Sequence, residues 1–215
     1  MHNHRILFFC IAAFFLLFST SIAKIGGGLN LFVSSPQEEF ANVSDMGGGI
    51  SGKLFATPPG INFFALRVDF AWVSYESETN ENIHIPETGL YVDVNTSHES
   101  MQFTLGPQFS APAGPLLLYF APMAGVYNYS TTEEIEESEI SKEKWSITKF
   151  GWNVGGGIMM KIMTFDKETP KPFTLSLDIG MKYHTVKNII PSAVIGGDRD
   201  ANDLTFHLGA VLMTK

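Results

Sequence analysis

Cysteine is nearly missing from this chain of 215 residues: the single one, Cys10, lies close to the N-terminus. No disulfide framework can therefore staple the fold, and packing and hydrogen bonds must hold it. Positive charge is also scarce. Lys and Arg number 14 against 22 Asp and Glu, a formal net charge of -8, which argues against a nucleic-acid-binding surface. Long apolar runs are absent after residue 23. Nothing there approaches the roughly 18 residues that a membrane-crossing helix needs.

The N-terminus reads as an export signal. His2, His4 and Arg5 give a polar, weakly basic start, and Ile6 to Phe18 is an unbroken apolar run. Ser21 and Ala23 then place small residues where a signal peptidase requires them, with cleavage before Lys24. We expect 1–23 to be a signal peptide and 24–215 to be one domain.

What the remainder has in abundance is alternation. From Phe173 to His184, the odd positions Phe173, Leu175, Leu177, Ile179, Met181 and Tyr183 are large and apolar. The even positions Thr174, Ser176, Asp178, Gly180, Lys182 and His184 are small or polar. Successive strand side chains point to opposite faces, so this strand has one greasy face and one polar face. Twelve such residues, tilted, cover about 30 Å and can cross a bilayer core.

The same alternation recurs in 25–33, 47–56, 61–75, 101–109, 116–129, 150–161 and 204–212. Pro122 makes the stretch 116–129 the least regular and is expected to mark a bulge, because proline cannot donate to a ladder. The connections alternate between long polar segments, such as 76–100 and 130–148, and tight turns such as 57–60 and 111–114. This pattern predicts an all-β fold: an eight-stranded antiparallel up-and-down transmembrane β-barrel with short periplasmic turns and long outer loops.

A soluble lipocalin-like carrier of a small apolar ligand would show the same period turned inside out. Charge placement favours the membrane form. Of the 22 acidic residues only Asp69 and Asp178 fall in the strand cores, whereas a soluble barrel would carry charge along its polar faces. The aromatics Trp72, Tyr75, Tyr129, Phe150, Trp152, Phe173 and Tyr183 fall towards strand ends, as in interfacial girdles. With these strands, and with the glycine-rich starts Gly26-Gly27-Gly28 and Gly47-Gly48-Gly49, the chain resembles the OmpA-like and OmpX-like group of small outer-membrane barrels. The resemblance implies an outer-membrane location, a lipid environment, a monomer, no cofactor and no enzymatic activity. The chain departs from the group in ending Val211-Leu212-Met213-Thr214-Lys215, without a terminal aromatic residue.

The candidate site is the polar interior. Lys53, Arg67, Asp69, Asp178, Lys182 and His184 all share the inward parity of their strands. An eight-stranded barrel is only wide enough to be filled by side chains, so these should form a neutralising polar network. Three other patterns are weaker. His98-Glu99-Ser100 has the His-x-Ser spacing of outer-membrane lipid A deacylases, a lipid-modifying enzyme class, but its parity is inward. Asp198 to Asp203 begins like a calcium loop but lacks its glycine and its last glutamate. Glu133, Glu134, Glu136, Glu137, Glu139 and Glu143 make one outer loop acidic, a setting for a surface ligand or divalent cations. N-terminal sequencing of the protein from cell envelopes should begin at Lys24, and a chain starting at Met1 would rule the signal peptide out.

Overall fold

The structure, a computed structural model, describes residues 24–42, 44–75, 78–85, 90–135, 142–165, 172–190 and 199–214. The expected signal peptide lies outside the described residues. The strands are β1 (Lys24–Gln37), β2 (Gly47–Thr57), β3 (Phe64–Tyr75), β4 (Glu78–Ile85), β5 (Leu90–Ala113), β6 (Leu116–Ile135), β7 (Lys142–Phe165), β8 (Phe173–Ile190) and β9 (Arg199–Thr214). Every pairing is antiparallel. β1 pairs with both β2 and β9, and β3 pairs with β5, so the sheet closes on itself. β4 continues the stave of β3 along the far part of β5, which makes nine strands into eight staves. Closure leaves the belt without an exposed edge to satisfy.

The two faces of the staves have opposite chemistry. Leu29 and Leu31 of β1, Ile50 and Leu54 of β2, Phe70, Phe103, Phe120, Ile179 and Leu208 are all exposed to the outside, Leu29 at 75%. Asn30, Ser51, Lys53, Arg67, Asp69, Gln102, Thr104, Asp178, Lys182 and Thr205 are buried inside. A lipocalin has the reverse arrangement. This outside must face hydrocarbon, because in water it would be an apolar patch far beyond what a soluble monomer tolerates. Among the described residues no helix is long and apolar enough to cross a membrane; the crossing is made by strands.

Several local details differ from the expectation. The piece 90–94, which alternates in the sequence, continues as strand as that alternation suggests, and so do 95–100, 130–135 and 142–148, expected within polar connections, with Thr131 opposite Trp145 and His98 opposite Thr131. Their β-branched and aromatic residues extend the ladder past the belt. Pro122 makes no bulge. The β5–β6 register is the same on both sides of it, Leu105 opposite Ala124 and Phe109 opposite Phe120, which sets Pro122 against Pro107. Two residues without N–H groups thus share one gap in the ladder. The third strand begins at Phe64 rather than Ile61, after a turn closed by the bond from Ile61 N to Pro58 O.

The girdle assignment is corrected for two residues. Tyr75 and Tyr129 are buried in the lumen, while Phe150 is 71% exposed and Trp152 also faces out. Tyr75 and Tyr129 have the odd, inward parity of β3 and β6, and their rings fill the barrel mouth instead of lying at the lipid interface. On the inner side, Gly114 (φ +64°) makes the tight β5–β6 turn, a backbone conformation that a side chain would strain. Ile179, 54% exposed near mid-belt, is a direct probe of the outward face. Ile179→Arg should cost about 2–4 kcal/mol of folding stability in lipid vesicles, measured by urea unfolding; an unchanged midpoint would mean this face does not meet lipid.

Candidate functional site

The lumen is filled in three layers. The middle layer is charged. On β3, Arg67 and Asp69 are two residues apart and therefore on one face. Arg67 Nε and Nη2 donate to Asp69 Oδ1 and Oδ2 at 2.7 and 2.8 Å, a fork-to-fork pair. Lys182 of β8 reaches across the lumen and donates to the same Asp69 Oδ2. Beside this triad, Lys53 of β2 donates to Asp178 Oδ2 of β8. Arg67 is 0% exposed, so these charges are removed from bulk water and must be met by partners.

All six expected interior residues therefore lie inside, and five of them form the two ion-paired groups. His184 is the sixth. Its Nδ1 lies 3.3 Å from the Tyr127 hydroxyl, which also accepts from Asn153 Nδ2 at 2.9 Å. His184 belongs to the layer above the charges.

Four members of the network escaped the sequence reading. His207 Nε2 lies 3.1 Å from Asp178 Oδ2 and 2.9 Å from the Tyr119 hydroxyl. Two cations lie over the Tyr119 ring, with Arg67 Cζ 5.5 Å and Lys53 Nζ 5.7 Å from its centroid. Gln108 Oε1 accepts from Arg67 Nη1 at 3.1 Å. Asp203, expected in the last loop, is 0% exposed and accepts from the Tyr75 hydroxyl at 3.0 Å. Among the described residues three acidic side chains, not two, thus lie inside the barrel. Tyr119 fits because Gly157 and Gly180 stand opposite each other beneath it; a Cβ on either would lie 2.7 Å from its hydroxyl.

Apolar layers seal both ends of the charged zone. On the inner side Phe55, Ala65, Met159 and Val211 cluster with the Tyr119 ring. On the outer side Phe32, Val73, Tyr75, Tyr127, Tyr129 and Val186 cluster with Phe40, the first residue of a short helical turn between β1 and β2. Phe40 packs edge-on to Tyr75 and Tyr129, at centroid distances of 5.1 and 5.9 Å. A small cavity of about 10 Å³, room for roughly one water, lies between the outer seal and the charges, lined in part by Gln102, Lys182, His184 and His207.

The other sequence candidates do not assemble. Ser100 is buried at the lumen mouth, and His98 Nδ1 lies 2.9 Å from Thr131 Oγ1. Both have inward parity, so neither lies on the lipid face where a lipid substrate would be met. In the calcium-like run, Asp200 Oδ1 accepts from Asn188 N at 2.9 Å while Asp203 turns into the lumen; Asp198 lies outside the described residues. So do Glu136, Glu137 and Glu139. Among the described residues no group of three His, Cys, Asp or Glu is placed to hold a metal ion.

No protein-family model matches the chain, and no curated protein matches it. Solved structures do. Ail, the attachment invasion locus protein of Yersinia pestis, in complex with the heparin analogue sucrose octasulfate, aligns at a TM-score of 0.50 and 15% identity. That alignment covers 88% of this chain and 97% of Ail. Neisserial surface protein A aligns at 0.44 and 15% identity, covering 89% of this chain and 96% of its own. A major outer membrane protein of Thermus thermophilus aligns at 0.45 and 10% identity, covering 88% of this chain and 99% of its own. At such identities the likeness speaks to the fold: this chain has the fold of the small outer-membrane β-barrel proteins.

The two kinds of ion pair in the structure provide an internal comparison. Asp178→Ala, which strands Lys53 and His207 in a dry lumen, should cost about 3–5 kcal/mol in urea unfolding from vesicles. Lys144→Ala breaks an exposed contact with Glu99 at 4.0 Å and should cost less than about 1 kcal/mol. Equal, small losses in both would place Asp178 in contact with bulk water.

Proposed function

We propose that this protein is a non-enzymatic, monomeric outer-membrane barrel, exported by the signal peptide 1–23, that serves the cell envelope through its outer surface. The observation that carries this reading is the sealed lumen. Among the described residues a layer of paired charges lies between two apolar layers, an arrangement that favours neither a pore nor a carried ligand. The lipid face is built for solvation by hydrocarbon. The chemistry that remains available lies beyond the outer rim.

The charge distribution fits a surface role. The connections expected from the sequence to be outer loops, with their flanking residues 37–46, 76–99, 133–149 and 187–200, hold seventeen acidic and five basic residues. The turn expected on the inner side, 161–172, with Lys24 and Lys215, holds five basic and two acidic residues. The lumen residues Lys53, Arg67 and Lys182 balance Asp69, Asp178 and Asp203. On this expectation the net negative charge of the chain gathers at the outer end. Ail is described with a polyanionic heparin analogue; an acidic outer end disfavours such a ligand here and favours cations, divalent ions or basic partners.

The full chain, expressed in a Gram-negative host, should fractionate with outer membranes and run faster unheated than boiled on a denaturing gel. The purified barrel should give no stepwise conductance in planar bilayers. Recovery from the periplasm or medium without detergent would support a soluble carrier instead, and discrete conductance steps would support a pore.

A further inference from the structure

Phe40 occupies an unusual place for a loop residue. Glu38 takes a left-handed backbone conformation (φ 55°), and its Oε2 accepts from Asn202 Nδ2 of β9 at 2.6 Å. This latch turns the loop inward, and Phe40 drops into the barrel mouth, where it is 1% exposed. Beneath it are the rings of Tyr75 and Tyr129, both in edge-on contact. At the base is Asp203, fully buried, with one carboxylate oxygen bonded to Tyr75. The other, Oδ1, has no hydrogen-bond partner among the described residues, and His184 Nε2 is 3.9 Å from it. Ser34 flanks both Tyr75 and Asp203. Lys182, the nearby lumen cation, is engaged by Asp69.

Two tyrosine rings in contact with Phe40, one of them bonded through its hydroxyl to a buried carboxyl group whose second oxygen makes no full hydrogen bond, form a recognisable donor set. Aromatic faces attract a cation through their quadrupole, most strongly when it is desolvated, and organic ammonium ions are the usual guests. The carboxyl group supplies the opposite charge once a cation arrives to pair with it. A loop phenylalanine, held by one turn and one side-chain bond, fills the space above. The acidic outer rim raises the local concentration of cations at this mouth.

We propose that the outer mouth is a binding site for an organic ammonium group, with Tyr75, Tyr129 and Asp203 as its contacts and Phe40 standing where the ligand would sit. The proposal rests on the surface role argued above and names the chemistry of its ligand. Binding requires Phe40 to swing out, so the apparent affinity is reduced by the fraction of time it spends inside. Removing the Phe40 ring abolishes that competition and leaves the strands untouched.

The test is isothermal titration calorimetry on the barrel refolded in a non-ionic detergent free of choline headgroups. Tetramethylammonium chloride replaces sodium chloride at constant ionic strength. Phe40→Ala should bind tetramethylammonium at least tenfold more tightly than the unaltered chain. Adding Asp203→Asn, or separately Tyr129→Leu, to Phe40→Ala should weaken that binding at least tenfold, with folding checked by heat-modifiable migration. Tyr129→Leu removes the aromatic face while staying apolar and serves if Asp203→Asn does not fold. A short lysine peptide run in parallel separates the sources: Asp203-dependent binding tighter than that of tetramethylammonium assigns a polypeptide side chain, and weaker binding assigns a small free ammonium compound. The proposal is overturned if Phe40→Ala binds no more tightly than the unaltered chain, or if sodium produces the same heat. Either failure leaves the envelope location untouched, since fractionation reads that separately.

Discussion

Charge is costly to bury in this lumen unless a partner meets it there, and much of the structure follows from that constraint. An eight-stave barrel is too narrow for a column of water around its side chains. Removing an ion from water costs several kcal/mol even after relaxation. Lys53, Arg67 and Lys182 are therefore placed against Asp69 and Asp178, with Tyr119 and His207 filling the gaps between the two groups. The partners come from distant parts of the chain, Lys53 and Asp178 being 125 residues apart. Only ring closure brings them together, so the network and the barrel depend on each other.

The apolar layers at either end complete this design. They keep water from the charged layer, which strengthens each pair and makes an unpaired member costly. The inner layer rests on β2, β3, β6, β7 and β9. The outer one borrows Phe40 from a loop. A seal contributed by a loop is easier to displace than one contributed by strands, because few backbone hydrogen bonds hold it. The inner end is thus closed by the fold and the outer end by a side chain, on the side where the acidic residues gather.

Much of the architecture was legible along the chain because a strand has a period of two. One face of each stave met lipid and the other did not, and the parity of Leu29, Phe70, Ile179 or Leu208 said which. The parity of Lys53, Arg67, Asp178 and Lys182 likewise said inward. Parity was uninformative where both faces are apolar. Tyr119 lies on such a stretch, beside Pro122, and its role among the cations left no trace in the pattern. Tyr75 and Tyr129 resembled girdle residues because aromatic side chains suit both an interface and a plugged mouth. Asp203 looked like part of an acidic loop because composition cannot show where a strand begins.

Local sequence thus determined the crossing elements, their number and which way their side chains point, since those depend on neighbours two residues apart. The tertiary structure alone decided which charges meet, where the lumen is sealed and how far the ladders run beyond the belt. Those outcomes depend on register between strands. Asp178 faces the Lys53 ammonium, and Asp203 the Tyr75 hydroxyl, only because β1 joins β2 to β9 in one closed ring. No short-range pattern encodes that alignment, because it is set by the whole circuit of pairings at once.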